Sequence, residues 1–274
     1  MLRVTAAAFS VWSTLAGSAL AHDFWLSLDR WTYDGESAAV EAEFLVGHAG
    51  DQTNWTLRPE REVALVAIGP SGRTEHTESL IYPTAAAKAG AALTLQGEGL
   101  HIIAFETDHA FSDLPAEKFS AYLVEEGLTP AIDHRRTKNG NGLPGREAYS
   151  RRAKALVRIG NAEGAAPEAT GQTLEIVALD NPYMLGVGAP LRLRIDYQGA
   201  PLAGASVTLQ SLTAGLVPER RLTTDSNGVA AFSLPRSGAW MANVVWTRPV
   251  ARGEIAAFPE AEFETIFSSL TFGY

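Results

Sequence analysis

His22 stands directly behind Ala19-Leu20-Ala21 in the stretch SALAHDFWLSL, and that small-x-small triplet is the pattern after which a signal peptidase cuts. Cleavage after Ala21 would give His22 a free α-amine beside its imidazole. The amine nitrogen and Nδ1 can then close a six-membered chelate on one metal ion, which no internal histidine can do. Their pKa values, about 8 and about 6.5, make both nitrogens available as donors at mild pH. A second imidazole completes a T-shaped set of three nitrogens, a geometry that suits Cu(II) or Ni(II) better than Mg²⁺ or Ca²⁺.

His48 is the candidate for that imidazole. It ends the stretch VEAEFLVGH, in which Val40, Ala42, Phe44 and Val46 share one face of a strand. His22 opens a strand with Phe24, Leu26 and Leu28 on one face. Antiparallel pairing about the Asp34-Gly35 turn sets positions 22 and 48 nearly opposite one another, and a slip of one residue would move one histidine to the other face. For a third ligand the sequence offers His101, in register with Ile103 and Phe105, or His109 just beyond that strand. The alternative for His101 is a hydrogen-bonded core histidine. Asp23 reads as a surface carboxylate or as a group holding a histidine ring by its free N–H. His76 and His134 read as solvated.

These residues need strands to hold them. Residues 1–21 read as a signal peptide: a basic start at Arg3, an apolar run broken by Ser10, Ser13 and Thr14, then the cleavage site. That run is too short to span a membrane, which takes about 20 apolar residues, so the processed chain is not expected to be membrane-spanning. Period-two alternation to about Glu106 predicts half-buried strands. A helix is expected after Ser112 or Asp113, with Phe119, Tyr122 and Leu123 as its apolar stripe and Gly127 as its end. A second is expected over Arg146 to Val157, with a basic, Gly-rich loop from Asp133 to Gly145 between them. The small-residue stretch 160–172 reads as a linker, and short strands with turn signals at Gln198-Gly199 and Ser226-Asn227-Gly228 follow it. The expected fold is all-β: an N-terminal sandwich over 22–162 carrying a small two-helix insertion, and a C-terminal Ig-like or transthyretin-like sandwich over 172–274.

Composition narrows the partners. With no cysteine among 274 residues there is no disulfide framework and no thiolate site, so any metal is held by nitrogen and oxygen. A net charge of −9 argues against nucleic acid or an anionic membrane surface as partner. The basic residues from Arg135 to Lys154 read as a cluster that could dock an acidic partner or a carboxylate ligand, or that pairs with local acids such as Glu125 and Glu126. No Ser-His-Asp grouping can be assembled.

The stretches AHDFWL, FLVGH, FSAYLVEEGL, REAYSRRAKALVRIG, YQGAPLAGASVTL and TTDSNGVAAFSLPRSGAW together resemble a family of exported bacterial domains of unknown function, formerly labelled the periplasmic nickel or cobalt transport component NikM. The likeness covers the whole mature chain. It implies two β-sandwiches, a periplasmic location and metal handling, with His22 and His48 at the family's clearest histidine positions. Where the family can carry a further histidine near its last RP dipeptide, this chain has Trp246. The expected function is therefore a periplasmic protein that binds a divalent transition metal (nickel, cobalt or copper) and buffers it or delivers it to an inner-membrane metal transporter. The competing expectations are a histidine-brace copper enzyme doing oxidative chemistry, and a metal-independent adhesion or scaffold module.

Overall fold

Where apolar and polar residues alternate, the chain forms strands. The computed structural model describes residues 23–161, 167–186, 188–213, 219–235 and 237–274; the expected signal segment and His22 lie outside them. Strands make up 51% of the described residues and helices 10%, so the protein is all-β. The first half runs β1 (Asp23–Leu28), β2 (Thr32–Tyr33), β3 (Ser37–His48), β4 (Asp51–Asn54), β5 (Val63–Gly69), β6 (Gly72–Glu75), β7 (Leu80–Ile81), β8 (Gly90–Gln96), β9 (Gly99–Thr107) and β10 (Ala110–Leu114). Helices α1 (Ala116–Glu125) and α2 (Thr129–Thr137) follow, and then the long strand β11 (Gly145–Ile159). The second half adds β12 (Leu174–Ala178), β13 (Leu191–Tyr197), β14 (Ala200–Pro201), β15 (Ser206–Ser211), β16 (Arg220–Thr223), β17 (Val229–Phe232), β18 (Ala239–Pro249) and β19 (Phe263–Gly273).

Three sheets result among the described residues. The largest has the order β16-β15-β18-β19-β11-β9-β5-β6, with β10 and β2 also on β11, and so runs through both halves of the chain. A sheet of β1-β3-β8-β7, with β4 on β3, covers one stretch of it. A sheet of β12-β13-β14, with β17 on β13, covers another stretch.

Alternation along β19 shows how one sheet serves both cores. Ile266, Leu270 and Phe272 enter the second core, against Leu193, Phe232 and Trp240. Phe263 and Phe267, on the opposite face, pack under Phe119 and Leu123 of α1. Further along that same face, the Ser269 hydroxyl donates to the Phe24 carbonyl (2.7 Å) and the Thr271 hydroxyl to the Leu26 carbonyl (2.8 Å), fastening β1 across the large sheet. The first core lies between β1 and β3 (Phe24, Leu26, Val40, Phe44) and β5, β9 and β11 (Leu65, Phe105, Ala153, Val157). Burial of each large side chain there contributes about 1.5–3 kcal/mol.

Several expectations are corrected. The stretch from Arg146 to Val157 is the middle of β11, not a helix; its Arg, Ala, Lys and Leu residues favour helix, but pairing with β19, β9 and β10 overrides that weak preference. The stretch after Ser112 continues as β10, and the helix starts only at Ala116 behind Pro115. The predicted stripe of α1 holds, with Phe119, Tyr122 and Leu123 buried. Part of the loop expected from Asp133 is the end of α2. The basic cluster is divided: Arg135, Arg151, Arg152 and Lys154 are buried, because α2 packs inward and β11 lies mid-sheet, while Arg136, Lys138 and Arg146 are exposed. Lys154 pairs with Glu175 at 2.6 Å inside the protein.

Candidate functional site at the open end of the first sandwich

The β1–β3 ladder carries the predicted register. Asp23 pairs with Gly47, Phe24 with Val46 and Leu26 with Phe44, each pair summing to 70 as required for pairing about position 35. His48 is the last residue of β3 at the end of the sandwich where β1 begins, and it is exposed. It faces Asp51 in the hairpin to β4. Gly47 makes that hairpin possible: its φ is +134°, and a Cβ there would meet the Asp51 carbonyl oxygen at 2.5 Å.

Asp23 is buried, not a surface carboxylate. Its Oδ2 accepts from the Gln210 side-chain amide (2.8 Å, β15) and its Oδ1 from the Asn243 side-chain amide (2.6 Å, β18). Two strands of the second half therefore anchor the first described residue of the chain. Burial pushes the Asp23 carboxyl up to about 6, against the opposing effects of the Gln210 hydrogen bond and the nearby His48. Glu126, just past the end of α1, is pushed up to about 7 by burial and by the charge of Asp23, with Arg221 acting the other way. The charge of Asp23 thus reaches Glu126 at the end of α1.

The two candidate third ligands are drawn apart. His109 follows β9 at the end where β1 begins; its Nε2 lies 3.1 Å from Glu264 Oε1, and its ring meets Phe258 edge-on at 4.8 Å. His101 lies near the other end of β9, six residues from Thr107, or about 20 Å along a strand. It is 2% exposed, and its Nε2 is 2.8 Å from the Gly97 carbonyl, which makes that nitrogen the donor. Burial holds its pKa below the ordinary histidine value. The structure thus gives His101 the role of a hydrogen-bonded core histidine and does not bring it to the end that carries His48. Among the described residues, no group of three or more His, Cys, Asp or Glu side chains is arranged to hold a metal ion. Trp246 packs against the second core. His134 meets Phe263 edge-on at 5.6 Å, and so is not simply solvated.

Sequence reasoning missed Gln210 and Asn243. Their signal is parity: Asn243 lies on the same strand face as Met241 and Val245, where only a polar partner from elsewhere makes an amide tolerable.

The family described as "Domain of unknown function (DUF4198)" matches residues 19–248, a stretch that takes in Asp23, His48, Gln210 and Asn243. The chain belongs to this family. No curated protein matches it. Among solved structures it is similar to a Salmonella alpha-2-macroglobulin reacted with methylamine, at 12% identity and a TM-score of 0.22, over 93% of this chain and 15% of that one. It is also similar to the D0-D1 domain of intimin, at 12% identity and a TM-score of 0.21, over 92% of this chain and 98% of that one. No described helix of this DUF4198 chain is long and apolar enough to cross a membrane.

Proposed function

We propose that the protein is a periplasmic carrier of a divalent transition metal (copper, nickel or cobalt), bound as cargo by the α-amine and Nδ1 of a processed His22 together with the imidazole of His48. The observation that supports this reading is the register of β1 on β3, in which Asp23 pairs with Gly47; a ladder continued by one step would set residue 22 opposite His48. The donor set fits such a metal, since it supplies nitrogens only, and with no cysteine in the chain no thiolate competes. Asp23, fixed by Gln210 and Asn243, would hold the start of β1 in place, so that its donors lose little entropy on binding. An inner-membrane metal transporter is the partner that such a carrier would serve.

The test uses protein exported and processed in a periplasm. Mass spectrometry fixes the N-terminus, and titration with Cu(II), Ni(II) and Co(II) follows. A chain beginning at His22 should take up one equivalent, and lose it both in His48→Ala and when a Met precedes His22. Stoichiometric binding retained in both variants would refute the chelate.

A further inference from the structure

Beside His48, the end of the first sandwich opens into a groove of about 750 Å³, a size that suits a small organic ligand. Val46 and Trp55 line it from the β3–β4 side, and His109, Phe111, Tyr149 and Arg151 from the β9–β11 side. Its charge runs against that of the chain. In a protein of net charge −9, three guanidiniums (Arg58, Arg61 and Arg151) face this groove against one carboxylate, Glu60. Asp108 offsets one of these cations, since it holds Arg61, while Glu264 holds His109 and, at 2.6 Å, Arg248; Arg58 is the exposed guanidinium of the three.

The groove also offers flat apolar surface. Trp55 is braced edge-on against Phe24 at 5.0 Å and against Phe105 at 6.0 Å, so its ring is held in one orientation. Phe111, on β10, is 53% exposed, so that its ring is open to a ligand in the groove. The Arg151 guanidinium sits among Phe24, Tyr149 and Phe267, at 5.5, 5.6 and 5.1 Å from the ring centroids. A planar cation held by aromatic rings at the wall of a groove lends fixed positive charge without a mobile side chain to order.

We infer that this groove binds a small aromatic carboxylate, its anionic end toward Arg58 and its ring against Trp55 and Phe111. Inorganic anions would gain only the charge, and neutral aromatics only the stacking. The inference stands apart from the metal reading, since none of these side chains belongs to the His22–His48 pair.

Metal-free protein in chelator, titrated calorimetrically with 2-naphthoate, 2-naphthamide and inorganic phosphate, tests it. Naphthoate should bind in the millimolar range or tighter, and the amide about tenfold more weakly, as expected for loss of a charge-assisted hydrogen bond. Arg58→Gln should weaken naphthoate roughly fivefold or more, and Phe111→Ala about threefold or more, while both exposed substitutions leave the thermal unfolding midpoint unchanged. Equal binding of acid and amide, displacement of naphthoate by equimolar phosphate, indifference to both substitutions, or absence of naphthoate binding would each overturn it. Failure here leaves the metal titration untouched, and the reverse also holds.

Discussion

Glu126 is the residue whose chemistry most directly exposes the strain at the open end. Its carboxyl is pushed up to about 7, above the ordinary value of 4.5, first by burial and then by the charges of Asp23, Glu125 and Glu219, with Arg221 opposing. A carboxyl whose folded pKa lies above its unfolded one is no burden below pH 4.5; the folded state loses stability as the pH climbs from there through about 7. Glu126→Gln removes that loss. The variant should match the parent near pH 4 and exceed it by about 1–3 kcal/mol at pH 8. Urea unfolding at both pH values measures this, and a constant difference between them would show that Glu126 is not desolvated. At this scale the sequence was legible where chemistry is local. His48 ends a strand that alternates as far as Phe44 and pairs with β1 about one turn, so its end of the sandwich could be read from register. Choosing between His101 and His109 could not be done that way, because it depends on how β9 pairs with β5 and β11, strands tens of residues away in the chain.

β11 shows the same limit for a whole element. REAYSRRAKALVRI is rich in helix formers, and its small alanines disguise the alternation: Tyr149, Arg151, Ala153, Ala155 and Val157 all face the first sandwich and the helices. The alanines are small because β1 crosses there. Ala153 is fully buried and pairs with Ser269, whose hydroxyl holds the Phe24 carbonyl at 2.7 Å. Ala153→Leu would add three carbons where the sheets approach, and should cost about 1–3 kcal/mol or more by overpacking. Chemical denaturation would register this as a lower midpoint with unchanged slope. A loss below about 0.5 kcal/mol, the range of ordinary surface substitutions, would mean that β1 does not lie close over β11.

The same strand decides how the whole molecule behaves. Among the described residues two large hydrophobic cores can be drawn, one within 22–162 and one mostly within 172–274, with a smaller cluster under α1. What the sequence could not carry is that both are floored by one sheet. β19, from the end of the chain, lies parallel to β11 over nine residue pairs from Glu147↔Phe263 to Ala155↔Thr271, a long-range pairing that leaves no local signature. Its hydroxyls fasten β1, its even-numbered apolar residues fill the second core, and Phe263 and Phe267 seat α1. Melting either half alone would strip partners from β11 and unseat Asp23 from Gln210 and Asn243. The two halves should therefore unfold together, although chains of this length often melt in stages. Calorimetry on residues 22–274 should give a single transition whose measured enthalpy equals the van't Hoff enthalpy. Two resolved transitions would mean that the β11–β19 ladder opens before either core does, and that the open end of the first sandwich can persist without the strands that anchor Asp23.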